Sequence, residues 1–136
     1  AFAPLPGSRI AFAAWTRFRY TEAGMRFYER AMGKAIFDAE GRVLPGRGGM
    51  SVAPGSMWNL PHHRRPRGMW RGSTGPAGDH VFSLASACVS TAGLAARPDP
   101  QRPLKHAFIE PRSAVQLSSY EAMLASTRPE WQQEWP

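Results

Sequence analysis

A chain of 136 residues, 43% hydrophobic and with five Trp and seven Phe, can form one domain with a core of its own. Its net charge of +7 is uneven: residues 1–75 carry twelve Lys/Arg against four Asp/Glu, and residues 76–136 carry five against six. The single Cys88 excludes an intrachain disulfide and a Cys-based zinc site, and the longest apolar-leaning stretch, Leu84 to Ala96, is too short to cross a bilayer. Fifteen of the seventeen basic residues are Arg, whose fork suits phosphate and carboxylate better than Lys does. The basic half therefore suits nucleic acid, an acidic protein or a phosphate-bearing cofactor, with a solvated basic face as the plain alternative. The chain opens without Met and without a charged segment leading into an apolar run, as an excised or processed domain would.

Residues 1–10, with Pro4, Pro6 and Gly7, read as an irregular lead. From Phe12 to Tyr20 apolar and basic residues alternate, predicting a half-buried strand. Thr21 then caps a predicted helix whose apolar residues, Met25 to Ala35, recur at helical spacing. Ile36-Phe37 and Val43-Leu44 flank a tight turn, and a glycine-rich turn, Pro45 to Gly49, leads into a brief strand that Pro54 stops. Residues 54–79 form a long irregular loop rich in Arg, Trp and Pro; such segments are functional or disordered, and its two Trp argue for packing.

His80 to Leu84 alternates like a strand, residues 85–97 suit a short helix of small residues, and Arg97-Pro98-Asp99-Pro100 reads as a loop. Lys105 to Glu110 alternates again and ends at Pro111. Ser118-Ser119-Tyr120-Glu121 matches a capping box before an apolar stripe of Tyr120, Met123 and Leu124. Thr127 to Glu130 resembles a second helix start, which sets Trp131 and Trp135 on one helical face. Strands do not alternate strictly with long helices, so the fold class is α+β, with residues 1–136 as a single domain.

Several motifs are incomplete. Gly49-Met50-Ser51-Val52-Ala53 approaches a nucleophile elbow, but Pro54-Gly55 denies it the helix that elbow needs. Gly46, Gly48 and Gly49 lack the Lys and the helix of phosphate-binding loops. His62-His63-Arg64-Arg65 offers metal ligands, an acid–base pair or a solvated loop, and adjacent histidines point apart on an extended chain. His106 and Glu110 share a strand face with Phe108, either lining a cleft or serving as the polar ends of a strand whose other face, Ala107 and Ile109, is core.

Gly48-Gly49-Met50-Ser51-Val52, a Pro/Arg loop, His106-x-x-Ile109-x-Pro111, Leu117-x-x-Tyr120-x-x-x-Leu124 and Thr127-Arg128-x-x-Trp131 follow in order over roughly residues 43–131. This series resembles a family of small toxins related to an effector of the type VI secretion system, similar in fold to the diphtheria-toxin and exotoxin-A class of mono-ADP-ribosyltransferases. The resemblance implies small antiparallel sheets forming a split ADP-ribosyltransferase-like core with peripheral helices. It implies that NAD, as substrate, lies in the cleft and gives up ADP-ribose with release of nicotinamide. On that reading Ser51, His106 and Glu110 are the catalytic candidates. Arg17, Arg19, Tyr28, Trp58 and Trp70 are the candidates for holding NAD. The same resemblance implies a neutralising antitoxin or immunity protein, and action in the cytoplasm after delivery by a secretion system. No metal and no membrane insertion are expected, and the target macromolecule is open. The alternative reading is a nucleic-acid-directed module, a ribonuclease-like toxin or an RNA binder, in which Arg interleaves with Trp58 and Trp70.

Overall fold

A computed structural model describes residues 9–14 and 38–136. The strand and helix predicted beyond Ala14, up to Ala35, lie outside the described residues. Strands β1 (Arg9–Ala14), β3 (Met50–Pro54), β4 (His80–Ala85), β5 (Leu94–Pro98), β6 (Ala107–Pro111) and β8 (Gln132–Trp135) form one sheet. Their order is β5-β6-β3-β1-β4-β8, and β2 (Arg42–Val43) pairs with β7 (Val115–Gln116) apart from it. Helices α1 (Ser86–Thr91) and α2 (Leu117–Ser126) complete an α+β domain in which the named strands pair antiparallel.

The alternation of His80 to Leu84 produces a central strand that runs in register with all of β1, from Arg9 opposite Ala85 to Ala14 opposite His80. By contrast, β3 changes partner along its length. Met50, Ser51 and Val52 pair with Ile109, Phe108 and Ala107 on β6, whereas β1 meets β3 only at Ile10–Pro54 and Ala11–Ala53. The sheet therefore divides between β1 and the Met50–Val52 half of β3.

One face of the sheet carries the main core, where Ile10, Val52, Phe82, Leu84, Leu94 and Ile109 pack with Tyr120 and Leu124 of α2 and with Trp131. Each such side chain contributes about 1.5–3 kcal/mol on full burial. The other face is covered at β1 and β4 by the segment after Pro54, here called the hood. Leu60 and Met69 of the hood lie on Ala11, Ala13, Ala53 and Val81. The hood has little regular structure: a single 3-10 turn, Met57–Asn59, capped by the Ser56 hydroxyl, and an isolated bridge between Pro66 and Gly75.

Several elements differ from the sequence-based expectation. Arg9 and Ile10 belong to β1 rather than to an irregular lead. The turn expected between Ile36-Phe37 and Val43-Leu44 does form, with the Asp38 amide donating to the Arg42 carbonyl and the Gly41 amide to the Asp38 carbonyl, both at 3.0 Å; Ile36 and Phe37 lie outside the described residues, and Val43 pairs with Val115 of β7. The helix predicted over 85–97 stops at Thr91, because Gly93 turns the chain at φ 81° and returns Leu94 to the core as the start of β5. The capping box is not formed. Gln116, still in the ladder with Arg42, is the N-cap without a side-chain bond, and Ser118 lies inside α2. After α2 the chain makes only a 3-10 turn, Arg128–Glu130, before β8 pairs along β4. Trp131 and Trp135 thus part company. Trp131 enters the main core, with its indole N–H donating to Thr127 Oγ1, and Trp135 packs on the hood side.

Candidate active site

Strand β6 buries Ala107 and Ile109 in the core and turns His106, Phe108 and Glu110 to the opposite face. Cross-strand partners share a face. Ser51 on β3 and Arg97 on β5 both stand opposite Phe108, giving a row of Ser51, Phe108 and Arg97 across three strands. All three are half-buried. The Phe108 ring meets the edge of His106 at 4.6 Å between centroids, and the Arg97 guanidinium carbon lies 5.1 Å from its centre. Ser51 lies on the half of β3 that has left β1, so the row borders the division of the sheet.

Two ion pairs fix the polar members. Glu110 is buried, and both its oxygens are occupied: Arg97 donates through Nε at 2.7 Å and Nη2 at 3.1 Å, and the Gly48 amide donates at 2.9 Å. Three donors compensate a carboxylate that would otherwise be costly to bury. The Glu110 bond in turn raises the Arg97 pKa above its ordinary value. His106 Nδ1 lies 2.7 Å from Asp99 Oδ2, and the Gln101 amide donates to Asp99 Oδ1 at 2.9 Å. The hydrogen bond from His106, then that from Gln101, holds the Asp99 carboxyl below its ordinary pKa. A neutral imidazole that gives Nδ1–H to Asp99 presents Nε2 as an acceptor.

Of the predicted site residues, Ser51, His106 and Glu110 come to one face. Both oxygens of Glu110 are engaged there, by Arg97 and by the Gly48 amide. Trp58 and Trp70 meet each other in the hood, edge to face at 6.3 Å, and Trp58 also packs with the cluster around Ala53. Arg17, Arg19 and Tyr28 lie outside the described residues. The strand period put Phe108 on this face, but nothing in the sequence brought Arg97 and Asp99 to it. Residues 97–100 read as a loop, although Arg97 and Asp99 alternate about Pro98 as strand residues do.

A second polar group lies nearer β8. Arg9 donates from Nε to the Ser83 hydroxyl and from Nη2 to the Ser83 carbonyl, and that hydroxyl donates to Glu134 at 2.6 Å. A mostly apolar cavity of about 320 Å³ between Arg9, Pro54, Ser86, Pro98 and Ala107 includes none of Ser51, His106 or Glu110. Among the described residues no group of three or more His, Cys, Asp or Glu is placed to hold a metal, and no helix is long and apolar enough to cross a membrane.

Fold and site together define a small α+β domain whose divided antiparallel sheet carries a serine, an arginine and a His–Asp pair around one aromatic ring. No family model, curated protein or solved structure matches the chain.

Proposed function

We propose that this chain is a toxin domain that consumes NAD, transferring ADP-ribose to a cellular target or to water and releasing nicotinamide. The observation that carries this reading is the row Ser51–Phe108–Arg97 beside the division of the sheet, with the Asp99–His106 pair against the same ring. It joins the ordered series of motifs that resembles the type VI effector-like toxins and their diphtheria-toxin and exotoxin-A-like transferase fold.

The residues fit the chemistry of the substrate. Arg97, pinned by Glu110, offers a guanidinium to the pyrophosphate of NAD. Ser51 offers a hydroxyl to the nicotinamide ribose, and the half-buried Phe108 gives the nicotinamide an apolar wall. In the reaction the ribose C1′–nicotinamide N1 bond breaks, and its electron pair leaves with neutral nicotinamide. The positive charge that develops on the ribose is stabilised by preorganised groups, here the Asp99 carboxylate acting through His106. A nucleophile of the target, or water, supplies the electron pair of the new bond to C1′, and its proton passes to His106 Nε2. Exclusion of water decides between transfer and hydrolysis.

A producing cell would need a neutralising antitoxin or immunity protein, and the toxin would act in the cytoplasm, where NAD and its targets lie. NAD binding tests this reading. The account expects saturable stabilisation of the purified domain by NAD in a thermal melt, lost in Arg97→Met. Absence of any NAD-dependent shift would contradict it.

A further inference from the structure

From Gly41 to Gly78 the chain carries six arginines and two histidines and no carboxylate. Four of those arginines stand in the hood; Arg64, Arg67 and Arg71 are exposed and lie within six positions of Trp70 in the chain, and Trp70 is 55% exposed. An indole that large, so exposed, and propped edge-on by Trp58 offers a flat apolar surface among cations.

Arg65 adds a second observation. It is 9% exposed, and its buried Nε has no hydrogen-bond partner. Among the described residues no carboxylate lies within ion-pair distance of it. Its guanidinium sits 5.5 Å from the Trp58 ring centre, and its Nη2 lies 2.5 Å from His62 Nδ1. That same nitrogen is 3.1 Å from the Gly72 carbonyl oxygen. One neutral imidazole nitrogen cannot both accept from Arg65 and donate to Gly72. The cation is thus buried beside an atom that satisfies either it or the Gly72 carbonyl, not both. An anion supplied from outside relieves this conflict, because it takes the guanidinium and leaves Nδ1–H to Gly72.

We propose that the hood is a binding surface for single-stranded nucleic acid, with a base stacked on Trp70 and phosphates met by Arg64, Arg65, Arg67 and Arg71. The single strand is favoured because an exposed ring pairs with an unstacked base, whereas a duplex hides its base faces. The hood covers β1 and β4 on the sheet face that also carries the Ser51 row. The proposal does not depend on the NAD reading, and its test contains no NAD, so either can fail alone.

The test is fluorescence anisotropy of the whole chain with a labelled single-stranded 12-mer, oligo(U) or oligo(dT), over a salt series. Binding should tighten as salt falls. Trp70→Ala should weaken it about tenfold, and Trp70→Phe, which keeps a ring, should restore most of the affinity. Arg67→Ala or Arg71→Ala should lower the slope of log K against log salt by about 0.7 each. Melting temperatures of these surface variants should stay at the wild-type value, separating loss of binding from loss of fold. No binding at low salt would overturn the proposal. So would equal binding of a 12-base-pair duplex or of polyglutamate with Trp70→Ala unaffected, since the surface would then be a generic cation patch or a site for acidic protein.

Discussion

Gly48 donates its amide proton to Glu110 across 62 positions of chain, at 2.9 Å. The bond ties the glycine-rich turn to β6 and completes the three donors around a buried carboxylate whose other partner, Arg97, faces the site. Replacing Glu110 by Ala leaves the Gly48 amide and the Arg97 guanidinium without their acceptor. Stability should fall by about 2–3 kcal/mol in denaturant unfolding. If Glu110 acts by positioning, NAD turnover in Glu110→Gln should change mainly through KM, because on the proposed reading it is Arg97 that meets the substrate. A loss confined to kcat would place Glu110 in the chemistry.

Tyr120 makes a similar tie beside it. Its hydroxyl donates to the Ile109 carbonyl at 2.6 Å and accepts the Met50 amide at 3.1 Å, between residues paired across β3 and β6. Gly49 makes room for it: a Cβ there would meet the Ile109 carbonyl oxygen and lie 2.9 Å from the hydroxyl. Tyr120→Phe should cost about 1–2 kcal/mol, since two backbone groups lose a buried partner. Gly49→Ala should cost more than Tyr120→Phe, because backbone must move. Urea titrations of both variants check the order.

The Asp99–His106 pair gives a pH signature. The native Asp99 carboxyl is held below 3.8, so the unfolded chain takes up a proton before the native one does. Its contribution is therefore complete above the unfolded value, about pH 4, and is lost as pH falls through the native value. Asp99→Asn should lower stability at pH 6 and narrow its gap to wild type as pH falls below about 4. Thermal melts across that range would show a constant gap if the bond contributes nothing.

His106 should matter to turnover beyond its place in the fold. His106→Ala should lower kcat about a hundredfold or more, the usual scale for loss of a general base. Nicotinamide release in single-turnover mixing measures this step. A rate within threefold of wild type would remove His106 from the chemistry.

The alternation of His80 to Leu84 and of Ala107 to Glu110 made β4 and β6 legible, and the glycine-rich turn with Pro54 marked both ends of β3. The same period placed His106, Phe108 and Glu110 on one face. Elements whose character depends on distant partners were not legible. β5 hides behind small residues and Arg97-Pro98, and becomes a strand because β6 needs an edge partner. β8 carries Gln132, Gln133 and Glu134, a polar run that pairs because β4 is open on that side. The partner of Glu110 was hidden for the same reason, since Arg97 meets it only once β5 and β6 are side by side. The motifs that carry the resemblance do meet: Gly48, Gly49, Ile109, Glu110 and Tyr120 are one contact group joining β3, β6 and α2. Their constraint is structural, and Ser51, Phe108 and His106 beside them carry the proposed chemistry.

The most direct measurement is release of nicotinamide from NAD by the purified chain, followed by liquid chromatography, with Ser51→Ala, Arg97→Met and His106→Ala in parallel. The account predicts time-dependent nicotinamide release by the wild type and a loss of at least tenfold in each variant, with their folds intact by circular dichroism. No release by the wild type, in the presence and absence of a cell extract supplying acceptors, would contradict it.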